Sequence, residues 1–191
     1  MKTDIILAGV GGQGILSIAT VIGMAAMAND LYIKQAETHG MSQRGGAVQS
    51  DLRLSDAPIA SDLIPLGQAD IILAVEPMES LRYLPFLKPD GWIVTSAAPF
   101  INIGNYPEVE RVLDTLKARS HVVLVDAERL AAEAGNVKAS NMVMLGAAIP
   151  FINMSMEDME AAVRAIFGRK GEEVVTMNIK ALHMGHNVAV A

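Results

Sequence analysis

Gly9-Val10-Gly11-Gly12-Gln13-Gly14 is the first group of residues whose types and spacing could do chemistry. Glycines permit a tight turn and close approach of the backbone to a ligand, and free N–H groups at a helix N-terminus attract phosphate. The spacing fits the dinucleotide fingerprint G-x-G-x-x-G, a weak pattern when it stands alone. That reading calls for a ribose-binding acid about 20 residues further on, at the end of the second strand. The register falls on Lys34, and Glu37 comes three residues late. Glycines that serve only strand–turn–helix packing account for the pattern equally well.

A second group follows in Ala36-Glu37-Thr38-His39-Gly40-Met41-Ser42-Gln43-Arg44-Gly45-Gly46, which has little apolar periodicity. Thr38, His39, Ser42, Gln43 and Arg44 are concentrated where a sheet would present its strand ends. Arg44, flanked by glycines, could hold a phosphate or carboxylate as a planar fork. It could equally bind backbone carbonyls and hold the loop closed, which composition alone slightly favours. Other candidates carry less. Glu76-Pro77 stands where α/β sheets bind ligands, but Glu before Pro is also an ordinary helix start. His183 and His186 are spaced for one helical face, yet no Cys or acid joins them as a metal ligand, and the C-terminal helix dipole favours His there anyway. The 12 Met suit core or interface filling better than ligation.

Composition limits the chemistry further. The 191 residues hold no Cys, so they can supply no disulfide, no thiolate-bound zinc and no thiolate-held iron–sulfur cluster. A formal charge of −6 with few aromatics excludes a basic nucleic-acid surface. Mean hydropathy is high at +0.33. Residues 5 to 28 carry no charge, but the glycines around Gln13 divide them into a short strand and a helix rather than a membrane span. Residues 139 to 156 are also uncharged and are expected as a helix buried in the core or against another chain. No membrane association and a cytoplasmic location are expected.

These residues need a frame to position them. Short apolar runs predict strands at Asp4–Gly9, Leu31–Gln35, Asp70–Val75, Trp92–Thr95 and His121–Val125. Ile5-Ile6-Leu7, Ile71-Ile72-Leu73 and Val122–Val125 lack polar alternation, as parallel strands covered on both faces do. Helices are expected over 14–28 and 107–118. A further helix starts at a Ser155/Asp158 capping box and ends at Gly168, and a last one starts at Glu172. Between Gln35 and Ala47 a parallel crossover would need about a dozen residues, usually with a helix. Val48 to Leu54 alternates, then turns at Ser55-Asp56-Ala57-Pro58 towards a short strand. The expectation is one domain over residues 1–191, a three-layer α/β/α sandwich with a mixed, mainly parallel sheet.

Gly9 to Ile15, together with Lys34-Gln35-Ala36-Glu37-Thr38-His39-Gly40-Met41-Ser42-Gln43-Arg44-Gly45-Gly46, resembles the gamma-type subunits of 2-oxoacid:ferredoxin oxidoreductases. The form Glu-Thr-His-Gly-Met-Ser-Gln-Arg-Gly-Gly is similar to the indolepyruvate:ferredoxin oxidoreductase beta subunit. Leu63-Ile64-Pro65, Glu76-Pro77, Asn141 with Leu145-Gly146-Ala147, and Gly171-Glu172-Glu173 extend the resemblance along the chain. It implies the domain III fold of pyruvate:ferredoxin oxidoreductase. It also implies oxidative decarboxylation of a 2-oxoacid, here an arylpyruvate such as indolepyruvate, to an acyl-CoA. In that chemistry thiamine diphosphate with Mg²⁺ forms the carbanion, and 4Fe–4S clusters pass electrons to ferredoxin.

This sequence has neither Cys nor a Gly-Asp-Gly…Asn thiamine motif, so the resemblance places those centres on a larger partner chain. The chain itself is then a docking subunit with no catalytic residue and no metal of its own, inactive alone. Coenzyme A is a molecule it could contact through Gly9, Gly11, Gly12, Gln13, Gly14, Thr38, His39, Ser42 and Arg44. Self-association of the isolated chain as a homodimer stays open. So do a free-standing NAD(P)-dependent oxidoreductase and a flavodoxin-like FMN carrier, both of which require the isolated chain to bind a cofactor.

Overall fold

The uninterrupted apolar runs become the middle of a six-stranded sheet in the order β2-β3-β1-β4-β5-β6. The computed structural model describes residues 1–40, 45–101 and 103–191. The strands are β1 (Lys2–Val10), β2 (Tyr32–His39), β3 (Ala47–Ser55), β4 (Ala69–Ala74), β5 (Leu87–Ser96) and β6 (Val122–Val125). β1, β4, β5 and β6 run parallel, with Ile5 opposite Ile71 and Ile93 opposite Val122. β3 is antiparallel to both β1 and β2. The sheet is therefore mixed and mainly parallel, as expected from the sequence.

Helices cover both faces. α1 (Ile15–Ala28), α4 (Ala127–Ala134), α5 (Ser140–Ile152), α6 (Met156–Phe167) and α7 (Glu172–Ala189) share the larger core with Ile5, Leu7, Leu52, Leu73 and Val94. α2 (Pro77–Arg82), α3 (Val109–Lys117) and the irregular residues 56–68 cover the other face, where Ile6, Ile64, Ile72 and Tyr83 pack together. Alternate strand residues point to opposite faces, so a run such as Ile5-Ile6-Leu7 must be apolar throughout.

Most of the uncharged stretch 139–156 is the central helix α5 (Ser140–Ile152), with every residue from Met142 to Ile149 buried. Its cover is α7, α1, β4 and β5 of the same chain. The capping box is made in full, Ser155 with Asp158, and Gly168 caps the C-terminus of α6.

Two expectations need correction. The second strand does not end at Gln35 but runs to His39, because cross-strand pairing with Val48 to Ser55 carries it on. β2 and β3 accordingly form the antiparallel portion of the mixed sheet, as the sequence leads one to expect. No strand follows Pro58 among the described residues. Residues 57–68 instead lie over β3, fixed by buried polar side chains that periodicity alone cannot reveal.

Candidate functional site

The glycine turn leaves β1 and enters α1 at the carboxyl end of the sheet. Gly14 is the N-cap of α1 with φ of 80°, a left-handed conformation that glycine adopts without steric cost. A Cβ there would also lie 2.7 Å from Asn141 Nδ2, and Asn141 donates to the Gly14 carbonyl at 3.3 Å. Gly9 is needed for close packing, since its Cβ would lie 2.4 Å from Val75 Cγ2. Gln13 stitches the turn together. Its Oε1 accepts from the Val10 N–H at 2.8 Å, and its Nε2 donates to the Val75 carbonyl at 3.3 Å. The Gly11 N–H donates to the Gly46 carbonyl at 2.8 Å, which ties the turn to the β2–β3 hairpin.

Most of the turn's polar groups are thus spent internally. The amides of Gly12 and Gly14 have no acceptor among the described residues. They border a cleft of about 410 Å³ lined by Val10, Gly11, Gly12, Gly14, Ile15, Leu16, Glu37, His39 and Val48. Of the residues predicted for a site, Gly11, Gly12, Gly14 and His39 come together here. Gln13 and Gly9 are framework. Thr38, between Glu37 and His39 on an extended strand, points to the opposite face. Ser42 and Arg44 lie outside the described residues.

Glu37, which sequence register put three residues late for ribose binding, does reach this cleft. Even so, the arrangement is not that of a dinucleotide site. Antiparallel β3 stands between β1 and β2, whereas the dinucleotide fold brings its acid on the strand adjoining β1.

A second polar centre sits at the carboxyl end of β4, beside the turn. Glu76 is only 1% exposed. It is the N-cap of α2, with Oε2 accepting from the Glu79 N–H at 2.8 Å. Its Oε1 accepts from the Tyr106 hydroxyl at 2.5 Å and from the Phe100 N–H at 3.3 Å. Arg82 pairs in two-pronged fashion with Glu79, at 3.0 and 3.1 Å. The pocket between these groups measures about 100 Å³ and also touches Val10, Gly45 and Ile103. Glu76-Pro77 is therefore a helix start, as its sequence allows, and an anchor for the segment after β5 as well. Sequence reasoning missed Tyr106 and Phe100, since nothing in their local pattern points to a carboxylate 30 and 24 residues earlier.

Burial, reinforced by the carboxylate of Glu76, holds the Tyr106 phenol well above the ordinary tyrosine range. A raised phenol keeps its proton, and with it this hydrogen bond, at every pH below the free tyrosine value of about 10. The contribution is lost only as pH rises through the higher folded-state value. Alkaline titration followed at 295 nm should therefore lose only late, high-pH amplitude in Tyr106→Phe. Loss of amplitude near pH 10 would place the phenol in open water.

The remaining candidates do not assemble. His183 Nε2 lies 2.6 Å from Glu160 Oε1, and no group of three His, Asp or Glu suited to a metal occurs among the described residues. None of the described helices is long and apolar enough to cross a membrane. Around the turn the surface is apolar instead. Leu16 is 49% exposed, and Phe100, Ile101 and Ile103 are 43, 64 and 42% exposed.

Comparison with known proteins agrees with this frame. Residues 4–188 match the model of the family described as pyruvate ferredoxin/flavodoxin oxidoreductase. The sequence is 38% identical to indolepyruvate oxidoreductase subunit IorB of Archaeoglobus fulgidus, over 100% of this chain and 97% of that protein. The fold is similar to the keto/oxoacid ferredoxin oxidoreductase gamma subunit of Geobacter sulfurreducens, with TM-score 0.70, 25% identity and 98% coverage of both chains. It is also similar to part of a 2-oxoglutarate:ferredoxin oxidoreductase from Magnetococcus marinus with 2-oxoglutarate, coenzyme A and succinyl-CoA bound. There the TM-score is 0.78 at 23% identity, and 99% of this chain corresponds to 31% of that longer one.

Proposed function

The chain belongs to the pyruvate ferredoxin/flavodoxin oxidoreductase family and is a subunit of a 2-oxoacid:ferredoxin oxidoreductase; from this premise we propose that it docks on, and completes, a larger catalytic chain that oxidises an arylpyruvate. The 38% identity to an indolepyruvate oxidoreductase subunit over the whole length supports the substrate class. Thiamine diphosphate and 4Fe–4S clusters supply the carbanion and electron-transfer chemistry of such enzymes. The residues of this chain do not fit the clusters, and the sequence carries no Gly-Asp-Gly…Asn motif for thiamine diphosphate. Cluster irons are held by thiolates, and the 191 residues include no Cys. Those centres belong on the partner, which passes electrons to ferredoxin, and this chain forms a cytoplasmic hetero-oligomer with it through a single domain over residues 1–191.

The observation that carries the docking role is the makeup of the sheet's carboxyl end. Its crevice is filled by Gln13, Glu76 and Tyr106, while Leu16, Phe100, Ile101 and Ile103 face outward around it. Exposed apolar groups concentrated around one site mark a protein–protein surface. The Gly12 and Gly14 amides at the start of α1 are suited to a phosphate group. Arg44 in the adjoining loop is suited to a second one. Coenzyme A, as the acyl acceptor, is the phosphate-bearing reactant that these groups would hold at the interface.

Reconstitution with the larger subunit tests both parts. The isolated chain should neither reduce ferredoxin nor bind NAD(P) or FMN, and the complex should oxidise indolepyruvate. Arg44→Gln in the complex should raise the KM for coenzyme A by roughly tenfold with little change in kcat, the pattern of lost uniform binding. Unchanged kinetics in an intact complex remove coenzyme A from this loop.

A further inference from the structure

In an open α/β sheet the ligand crevice lies where successive connections leave in opposite directions. Here that point is between β1, whose chain leads towards β2, and β4, whose chain leads towards β5. The crevice is occupied by the chain's own polar groups. Gln13 joins Val10 to Val75 across it, and next to Val75 the Glu76 carboxylate receives three hydrogen bonds from donors among the described residues. A carboxylate 1% exposed, with no direct ion pair among the described residues, is costly to bury unless its acceptors are filled. Two of these donors, the Phe100 N–H and the Tyr106 hydroxyl, come from the stretch after β5, so the buried group and those residues fix one another.

The same segment carries the outward-facing apolar side chains. From Ser96 to Tyr106 there is no charged residue; Ile101, at 64%, is among the most exposed large apolar groups of this protein, and Phe100 is 43% exposed. Val10 borders both the pocket under Phe100 and Ile103 and the cleft beside Leu16. The two apolar groups therefore flank the glycine turn on either side. Helix packing inside the chain does not require them, since none of the three apolar clusters includes them.

We infer that Glu76 and Tyr106 are positioning residues that hold Phe100, Ile101 and Ile103 as a preformed apolar ridge, continuous with the glycine turn, for an apolar surface of the larger subunit. The inference rests on the docking reading above and adds the device that prepares the surface. A short irregular segment free to move would lose conformational entropy on binding. The Glu76–Tyr106 hydrogen bond removes part of that cost in advance. The crevice thereby serves as the anchor of an interface.

The experiment uses the full chain titrated against the larger subunit, with four variants whose folded stability is measured in parallel. Ile101→Asp should raise Kd at least roughly 30-fold without lowering the melting temperature, as for a central apolar contact. Tyr106→Phe and Glu76→Gln should raise Kd by roughly five- to tenfold, and the Phe100 amide should exchange faster with solvent in the free chain. If these two variants lower the melting temperature but leave Kd unchanged, their role is structural and the inference is overturned, while the docking reading survives. Wild-type Kd in Ile101→Asp removes the ridge. If Leu16→Asp, beside the turn, also leaves Kd unchanged, the docking reading itself fails.

Discussion

Gly185→Ala is expected to destabilise the chain by about 2–3 kcal/mol net, although it replaces glycine by the best helix former. A Cβ at Gly185 in α7 would stand 1.8 Å from the Val143 carbonyl oxygen and 3.0 Å from the Ala147 nitrogen, both in α5. At Gly146 the reciprocal Cβ would stand 1.9 Å from the Leu182 carbonyl oxygen. The obstacles are backbone atoms of a neighbouring helix, so no rotamer change relieves them. The helices must separate by more than about 1 Å, and a close-packed interior resists that. α5 has no space to retreat, because it is buried from Met142 to Ile149 against α1 and the sheet.

Gly23 supplies the internal control. It is also helical, in α1, but a Cβ there meets nothing within 4 Å. Gly23→Ala should therefore gain about 0.5–1 kcal/mol from backbone entropy alone. For a domain of this size the two variants should melt roughly 5–10 °C below and about 1–3 °C above the wild type. A Gly185→Ala protein that melts at or above the wild-type temperature would contradict the close helix contact.

That pair of glycines shows where sequence reading stops. The apolar runs of β1, β4 and β6 announce a sheet covered on both faces, because period and composition are local properties. The capping box at Ser155 and the glycine at 168 are local in the same sense, and the structure realises both. Gly146 and Gly185 look like ordinary helix-weakening residues until α5 and α7 are placed together. The site divides in the same way. The turn at Gly9–Gly14 was legible from spacing, but Gln13 gave no sign that its amide would be consumed by Val10 and Val75. Glu37 was set aside on register, yet the hairpin extends β2 and brings it beside the turn. The Glu76–Tyr106 contact spans 30 residues and has no sequence periodicity at all.

The alternation in β3 misled in a more instructive way, and it leads to the second large effect. Gln49, Asp51 and Arg53 form the polar half of the pattern and would ordinarily face water. Instead Asp51 and Arg53 are buried under residues 56–68. Arg53 Nε and Nη2 donate to the two oxygens of Asp4 at 2.8 and 3.1 Å, and Asp4 is fully buried. Nη1 donates to the carbonyls of Ser61 and Leu63 at 3.0 and 2.9 Å. Asp51 completes the attachment by accepting from the Ile64 N–H at 2.9 Å. One guanidinium thus neutralises a buried carboxylate and satisfies two carbonyls of the covering segment, a task for which a planar fork is suited and a point charge is not.

Arg53→Ala should accordingly cost about 3–5 kcal/mol, since it leaves the Asp4 carboxylate buried without its main partner. Lys2 approaches the same carboxylate at 2.9 Å, but it is half exposed and reaches neither carbonyl. Arg53→Lys should therefore fall between wild type and Arg53→Ala. Replacing both charges, as Asp4→Leu with Arg53→Met, should recover part of the loss because no charge is then left unpaired. It should not recover all of it, because the Ser61 and Leu63 carbonyls still lose their donor. Urea unfolding of wild type, Asp4→Leu, Arg53→Met and the double variant gives the coupling between the two positions directly. An Arg53→Ala protein within about 1 kcal/mol of wild type would mean that water reaches Asp4 and that residues 56–68 are not held closed over β3.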